Sequence, residues 1–171
     1  MAAGQPEREL RITPGGREDL RRLEPVWLAL QAYHVEITPQ LGDAPACSPA
    51  EAWRRRRAKY ERWLEEPETF VLLAGRAGRA VGYAFVTVGA GFASWGEERL
   101  ADLQTLSVVE EERGRGVGTA LMDAVDERLA ELGVRELKLT AANANAGAQR
   151  FYERRGLRPS FVVFFGPAGK R

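Results

Sequence analysis

Three glycines on alternate positions, Gly114, Gly116 and Gly118, stand beside Arg113 and Arg115 in "VVEEERGRGVGTALMDAV", residues 108–125. Inside a helix each glycine costs about 1 kcal/mol relative to alanine, so three where a helix should begin imply a use for bare backbone. Between an apolar run and a helix N-terminus, backbone N–H groups point outward and the helix dipole favours negative charge. Phosphate is the natural guest, and the two arginines add positive charge. Two familiar phosphate loops do not fit. The stretch has no lysine for a P-loop, and its G-x-G-x-G spacing, followed by Thr119, departs from the G-x-G-x-x-G of dinucleotide sites. Cys47 is the sole cysteine and His34 the sole histidine. A disulfide within the chain and a cysteine-based metal cluster are thereby excluded, no metal site is expected, and Cys47 reads as an ordinary thiol in a proline-rich loop.

The elements that must hold this loop follow from periodicity. Leu10 and Ile12 alternate with charged neighbours as a short strand does, and "TPGG" ends it. Leu20, Leu23, Trp27, Leu30 and His34 recur every three or four residues, the stripe of a first helix. Residues 38–49 are too proline-rich to be regular. Ser48, Pro49 and Glu51 have the spacing of a capping box, so a second helix is predicted to about Leu64, with "RRRR" (54–57) as a solvated face and contact with an anionic ligand as the alternative. Residues 70–74 and 81–88 are β-rich around a "GRAGR" turn, and 103–109 is a third β-rich run. Val117, Leu121, Val125 and Leu129 line one face of a helix over 116–132, stopped by Gly133. A strand at 136–140, a short helix capped by Asn145 and closed by Gly156, and a last strand at 161–165 complete the order. The prediction is a mixed α/β sheet in a single domain, 1–171.

The chain of 171 residues can bury its own core, and its ordinary composition and formal charge of +1 argue against a nucleic-acid partner. Residues 1–10 are polar and no apolar run reaches membrane-spanning length, so a cytoplasmic location and no membrane association are expected.

"Leu-Ser-Val" at 106–108 followed by Arg113-x-x-Gly116-x-Gly118 resembles the central motif of the GNAT superfamily of acyl-CoA-dependent N-acetyltransferases. "NANAGAQRFYERRGL", residues 143–157, is similar to that family's second signature, and "RITPGGREDL" to its strand-to-helix opening. The resemblance implies a central, mostly antiparallel sheet with two splayed parallel strands and flanking helices. It also implies acetyl-CoA as cosubstrate, with its pyrophosphate on the backbone of Arg113, Gly114, Arg115, Gly116, Val117, Gly118 and Thr119. The pantetheine arm would pair with the free edge at Leu106, Ser107 and Val108, with Asn145 and Tyr152 on the opposite wall. The Leu106 N–H would polarise the thioester carbonyl, and Tyr152 would protonate the departing thiolate.

An amine with a pKa near 10.4 costs about 4.6 kcal/mol to deprotonate at pH 7, so a proton acceptor is needed. Asp102 stands where several family members carry glutamate, and period-2 alternation puts it on the face of Leu106 and Val108. Glu98 and His34 are the other choices. The acceptor is expected to be a small-molecule amine or a peptide or protein amine, in a pocket walled by Trp27, Tyr33, His34, Trp53, Tyr60 and Trp63, most of which helical spacing also explains as core. Family members often dimerise, which admits a homodimer. A GNAT-like module that binds acyl-CoA without turnover and an unrelated nucleotide-binding protein are the competing readings.

Overall fold

In the computed structural model, residues 9–38, 47–94, 96–164 and 166 are described. Strands β1 (Arg11–Gly15), β2 (Phe70–Arg76), β3 (Arg79–Ala90), β4 (Arg99–Val108) and β5 (Glu136–Leu139) form one sheet in sequential order. The first three pairings are antiparallel, and β4 with β5 is parallel. Helices α1 (Leu20–Ile37) and α2 (Pro49–Trp63) precede β2; α3 (Val117–Glu131) joins β4 to β5, and α4 (Ala146–Arg154) follows β5. No described helix is long and apolar enough to cross a membrane.

Alternation along the strands divides the core between the two faces of the sheet. Val71, Leu73, Tyr83 and Phe85 pack with Leu20, Leu23, Val26 and Trp27 of α1 and Trp53 and Tyr60 of α2. Leu72, Ala74, Ala84 and Val86 pack on the opposite face against Val117, Leu121, Met122, Val125 and Leu129 of α3. Of the six residues expected to wall an acceptor pocket, Trp27, Trp53 and Tyr60 are therefore core.

The punctuation acts as its chemistry dictates. Ala77 and Gly78 both take positive φ, giving a tight β2–β3 turn whose twist suits a hairpin. Ser48 Oγ accepts from the Glu51 N–H at 3.3 Å, but the reciprocal half of a capping box is not made, because the Glu51 carboxylate pairs with Arg54 and Arg55. The strand expected at 161–165 is not formed over Phe161–Phe164, which joins no ladder among the described residues; Phe165 lies outside them. These four residues are 65–92% exposed, and β-propensity makes a strand only where a neighbouring strand packs with it.

Candidate active site

β5 pairs with β4 only from Leu100↔Glu136 to Leu103↔Leu139. Beyond Leu103 the two strands part, and the continuation of β4 has an open edge. Which groups face it follows from one bond. The Val109 N–H donates to the Val81 carbonyl at 2.9 Å, so with antiparallel alternation Ser107 and Thr105 point their backbone groups at β3. Leu106 and Val108 point theirs into the gap. Ser107, expected on the open edge, instead spends its backbone on β3, and its buried hydroxyl donates to the Val26 carbonyl of α1 at 3.2 Å.

A β-bulge corrects a second expectation. The register steps from Phe85↔Thr105 to Val86↔Leu103, leaving Gln104 as the extra residue on β4. The insertion reverses the alternation, so Ala101 and Leu103 share the α3-side core with Leu106 and Val108. Asp102 thus lies on the opposite face from Leu106 and Val108, where its carboxylate pairs with Lys138 Nζ at 3.0 Å. Glu98, the second choice, sits on the loop before β4, where its carbonyl accepts from the Gly91 N–H at 2.7 Å, at the closed end of the β4–β5 pair.

The bulge is held by a hydroxyl chain. Thr105 Oγ1 donates to the Gln104 carbonyl at 2.7 Å. A carbonyl only accepts, so the Tyr60 hydroxyl must donate to Thr105 at 2.6 Å and that of Tyr83 to Tyr60 at 2.9 Å. Burial raises both phenol pKa values, keeping them neutral donors. The chain ties α2 to β4 where the strands separate.

Where β4 runs into α3, Gly114 and Gly116 have φ of 72° and 80°, a left-handed conformation that costs other residues energy, and a Cβ at either would meet no atom beyond its chain neighbours within 4 Å among the described residues. Gly116 is the N-cap of α3 and supplies no side chain to cap it. The first intrahelical bond runs from the Ala120 N–H to the Gly116 carbonyl, which leaves the N–H groups of Val117, Gly118 and Thr119 without helical partners. Val117 buries its side chain, so only its backbone is available. Gly118 sits against α4 with room to spare: its Cβ would lie 3.7 Å from the Phe151 ring, an ordinary van der Waals contact. Arg113 Nε donates to the Val108 carbonyl at 3.2 Å, and its guanidinium lies 5.4 Å from the Tyr33 ring centroid, so it spans the cradle end of the open edge. Arg115 and Thr119 are exposed.

A cleft of about 80 Å³ fills the gap between the strands, and Leu106, Ala142, Asn145, Tyr152, Leu30 and His34 are among its lining residues. Asn145 Oδ1 accepts from the Ala148 N–H at 3.0 Å, so its oxygen is the cap of α4. Tyr152 packs edge-on against Phe151, and burial pushes its phenol up to about 12. His34, at the accessible rim, has its pKa lowered first by desolvation and then by the positive charge of Arg56. The cleft so brings together Leu106, Asn145, Tyr152 and His34, but neither Asp102 nor Glu98.

One residue that sequence reasoning read as part of a solvated face lies on α2, against the aromatic core beside Tyr60. In "RRRR", Arg54 and Arg55 pair with Glu51, and Arg57 with Glu61, as a solvated face should. Arg56 instead turns inward, its guanidinium 5.6 Å from the ring centroids of both Trp27 and Tyr60. At about 100° per residue, position 56 falls in the middle of the stripe formed by Ala52, Trp53, Tyr60 and Trp63. That spacing was the available signal.

Residues 32–157 match the acetyltransferase (GNAT) family. The chain is 32% identical over 138 residues to a mycothiol acetyltransferase of Thermobispora bispora, covering 79% of this chain and 43% of that protein. It is 31% identical over 101 residues to an uncharacterized N-acetyltransferase of Mycobacterium tuberculosis strain H37Rv, covering 59% and 60%. It thus spans less than two thirds of the length of either relative. The aminoglycoside N-acetyltransferase AAC(6')-Iy in complex with CoA shares the fold with a TM-score of 0.70 at 18% identity, over 94% of this chain and 96% of that one. With the mixed sheet, the parting of β4 and β5 and the glycine cradle of α3, the match over 32–157 establishes that this chain belongs to the GNAT acetyltransferase family.

Proposed function

We propose that the protein is an N-acetyltransferase that moves the acetyl group of acetyl-CoA to a primary amine by direct attack within a ternary complex. The observation that carries this reading is a cleft lined by the open β4 edge and a buried phenol, with the uncapped start of α3 at the end of β4 that follows it. The residues fit the cosubstrate: N–H groups of 117–119 and the guanidinium of Arg113 for the pyrophosphate, and Leu106 and Val108 for the amide-rich arm. When bound, acetyl-CoA supplies the activated acetyl group, whose carbon–sulfur bond breaks as the carbon–nitrogen bond forms.

The chain's own groups divide the remaining work. The Leu106 N–H donates to the thioester oxygen as negative charge grows there, from a fixed backbone that needs no reorganisation. Tyr152, protonated throughout the neutral range because its pKa stands near 12, delivers a proton to the sulfur. His34, in preference to Asp102, accepts the proton of the amine. Its lowered pKa keeps the imidazole neutral at pH 7 and it lines the cleft, whereas the Asp102 carboxylate lies outside the cleft lining and is paired with Lys138. The names of the relatives, an aminoglycoside and a mycothiol acetyltransferase, support an amine acceptor.

Calorimetry with acetyl-CoA on the wild type and Gly116→Trp, followed by thiol release with a panel of amines, tests the reading. Micromolar binding lost in the variant, with amine-dependent thiol release, is expected. Binding without release for any amine would identify a non-catalytic acyl-CoA module instead. Activity should fall as pH drops through the depressed pKa of His34, below 6.5, and be full above it, because only the neutral ring accepts a proton. His34→Gln should abolish that limb, while Asp102→Asn keeps it; the reverse would transfer the role to Asp102.

A further inference from the structure

Arg56 occupies the centre of the apolar stripe of α2, half-buried, where helical spacing calls for a hydrophobic side chain. Its three arginine neighbours each have a carboxylate within 4.0 Å; among the described residues Arg56 has none. A guanidinium removed from bulk water without a counterion is costly, and the two aromatic rings and the Tyr60 hydroxyl beside it, all neutral, supply only part of the compensation. The charge also reaches the cleft. It depresses the pKa of His34 and acts on Tyr60, whose hydroxyl bonds Thr105, and both His34 and Thr105 line the cleft.

We propose that Arg56 binds a carboxylate of the acceptor, so that the substrate class is amines that also carry an acidic group, such as amino acids or peptides with a free C-terminus. The proposal rests on the transferase reading above and narrows it. A carboxylate beside Arg56 would satisfy the unpaired guanidinium through a planar, two-pronged contact and leave the amine end of the molecule to the His34 side of the cleft. Polycationic acceptors, by contrast, would bring positive charge toward Arg56 and are disfavoured. Arg56 is a binding residue in this scheme, with no part in moving protons.

Thiol release should be measured with short dipeptides bearing a free C-terminus, the same dipeptides amidated at the C-terminus, spermidine and an aminoglycoside. Each matched pair of dipeptides presents the same α-amine and differs in one negative charge. The wild type should prefer the free acids by roughly 10- to 100-fold in kcat/KM, mostly through KM, the range expected for one charge-assisted hydrogen-bonded pair. Arg56→Met, which keeps the apolar stem over Trp27, should erase that preference, bringing the acid-to-amide ratio of kcat/KM to about one. Arg56→Lys should retain part of it. Equal use of acid and amide by the wild type, faster turnover of spermidine or the aminoglycoside, or an Arg56→Met variant that slows every amine alike would overturn the proposal. The wild-type comparison needs no variant to fold. Failure of the underlying transferase reading is distinct, since it shows as no thiol release with any amine, and it removes this proposal with it.

Discussion

Gly116→Ala separates what the cradle costs the fold from what it does for a ligand. Gly116 has φ 80° and ψ −1°, and an added Cβ meets no atom beyond its chain neighbours within 4 Å among the described residues, so the penalty is backbone conformation alone. A left-handed alanine costs about 1–2 kcal/mol, partly offset because alanine has less unfolded-state entropy to lose, which leaves about 1 kcal/mol. For a chain of this size that is a fall in melting temperature of about 2–4 °C. Gly118→Ala is the internal control. Its φ is ordinary and its Cβ would make van der Waals contact with Phe151 and Val108, so it should be neutral or up to about 0.5 kcal/mol more stable. Thermal melts followed by circular dichroism, with and without CoA, read both effects. CoA at 100 times its Kd stabilises the wild type by about 2.7 kcal/mol, and a tenfold loss of affinity in Gly116→Ala removes about 1.4 of it. A Gly116→Ala variant that melts with the wild type and gains as much from CoA would refute both the left-handed geometry and the anion cradle.

Tyr152→Phe should lower kcat about 100-fold with acetyl-CoA binding unchanged, the separation expected of a proton donor, and equal kcat would remove the phenol from the chemistry. With a pKa near 12, Tyr152 should also impose no loss of activity on the wild type up to about pH 10, read from the pH profile of kcat. Tyr60→Phe deletes the middle of the hydroxyl chain and removes the hydrogen bond between the buried Tyr83 and Tyr60 hydroxyls, so urea denaturation should show a loss of about 1–3 kcal/mol. An unchanged midpoint would mean that the chain does not hold α2 to β4.

Local features of this protein were legible because they depend on near neighbours. The spacing of Leu20, Leu23 and Trp27 places one stripe of α1 in the core, Ser48 caps α2 with Pro49 behind it, and the glycine run before α3 marks an uncapped helix start. Motif order was enough to point to the family, because glycine, arginine and an uncapped helix start act together within a few residues.

Facts that depend on a partner strand or a facing helix were not legible. The bulge at Gln104 arises from the pairing of β4 with β3, and one extra residue reverses which side chains face which way. That shift, invisible to a count along β4 alone, carries Asp102 to the face opposite Leu106 and Val108, while the registry beyond it turns Ser107 toward α1. The β-rich run from Phe161 to Phe164 joins no described ladder, since a strand exists only where another supplies its hydrogen bonds. Arg56 shows both levels at once. Helical spacing determined that one of the four arginines must face inward; only the packing of α2 against Trp27, with the other three held by Glu51 and Glu61, decided that its charge would meet no carboxylate among the described residues.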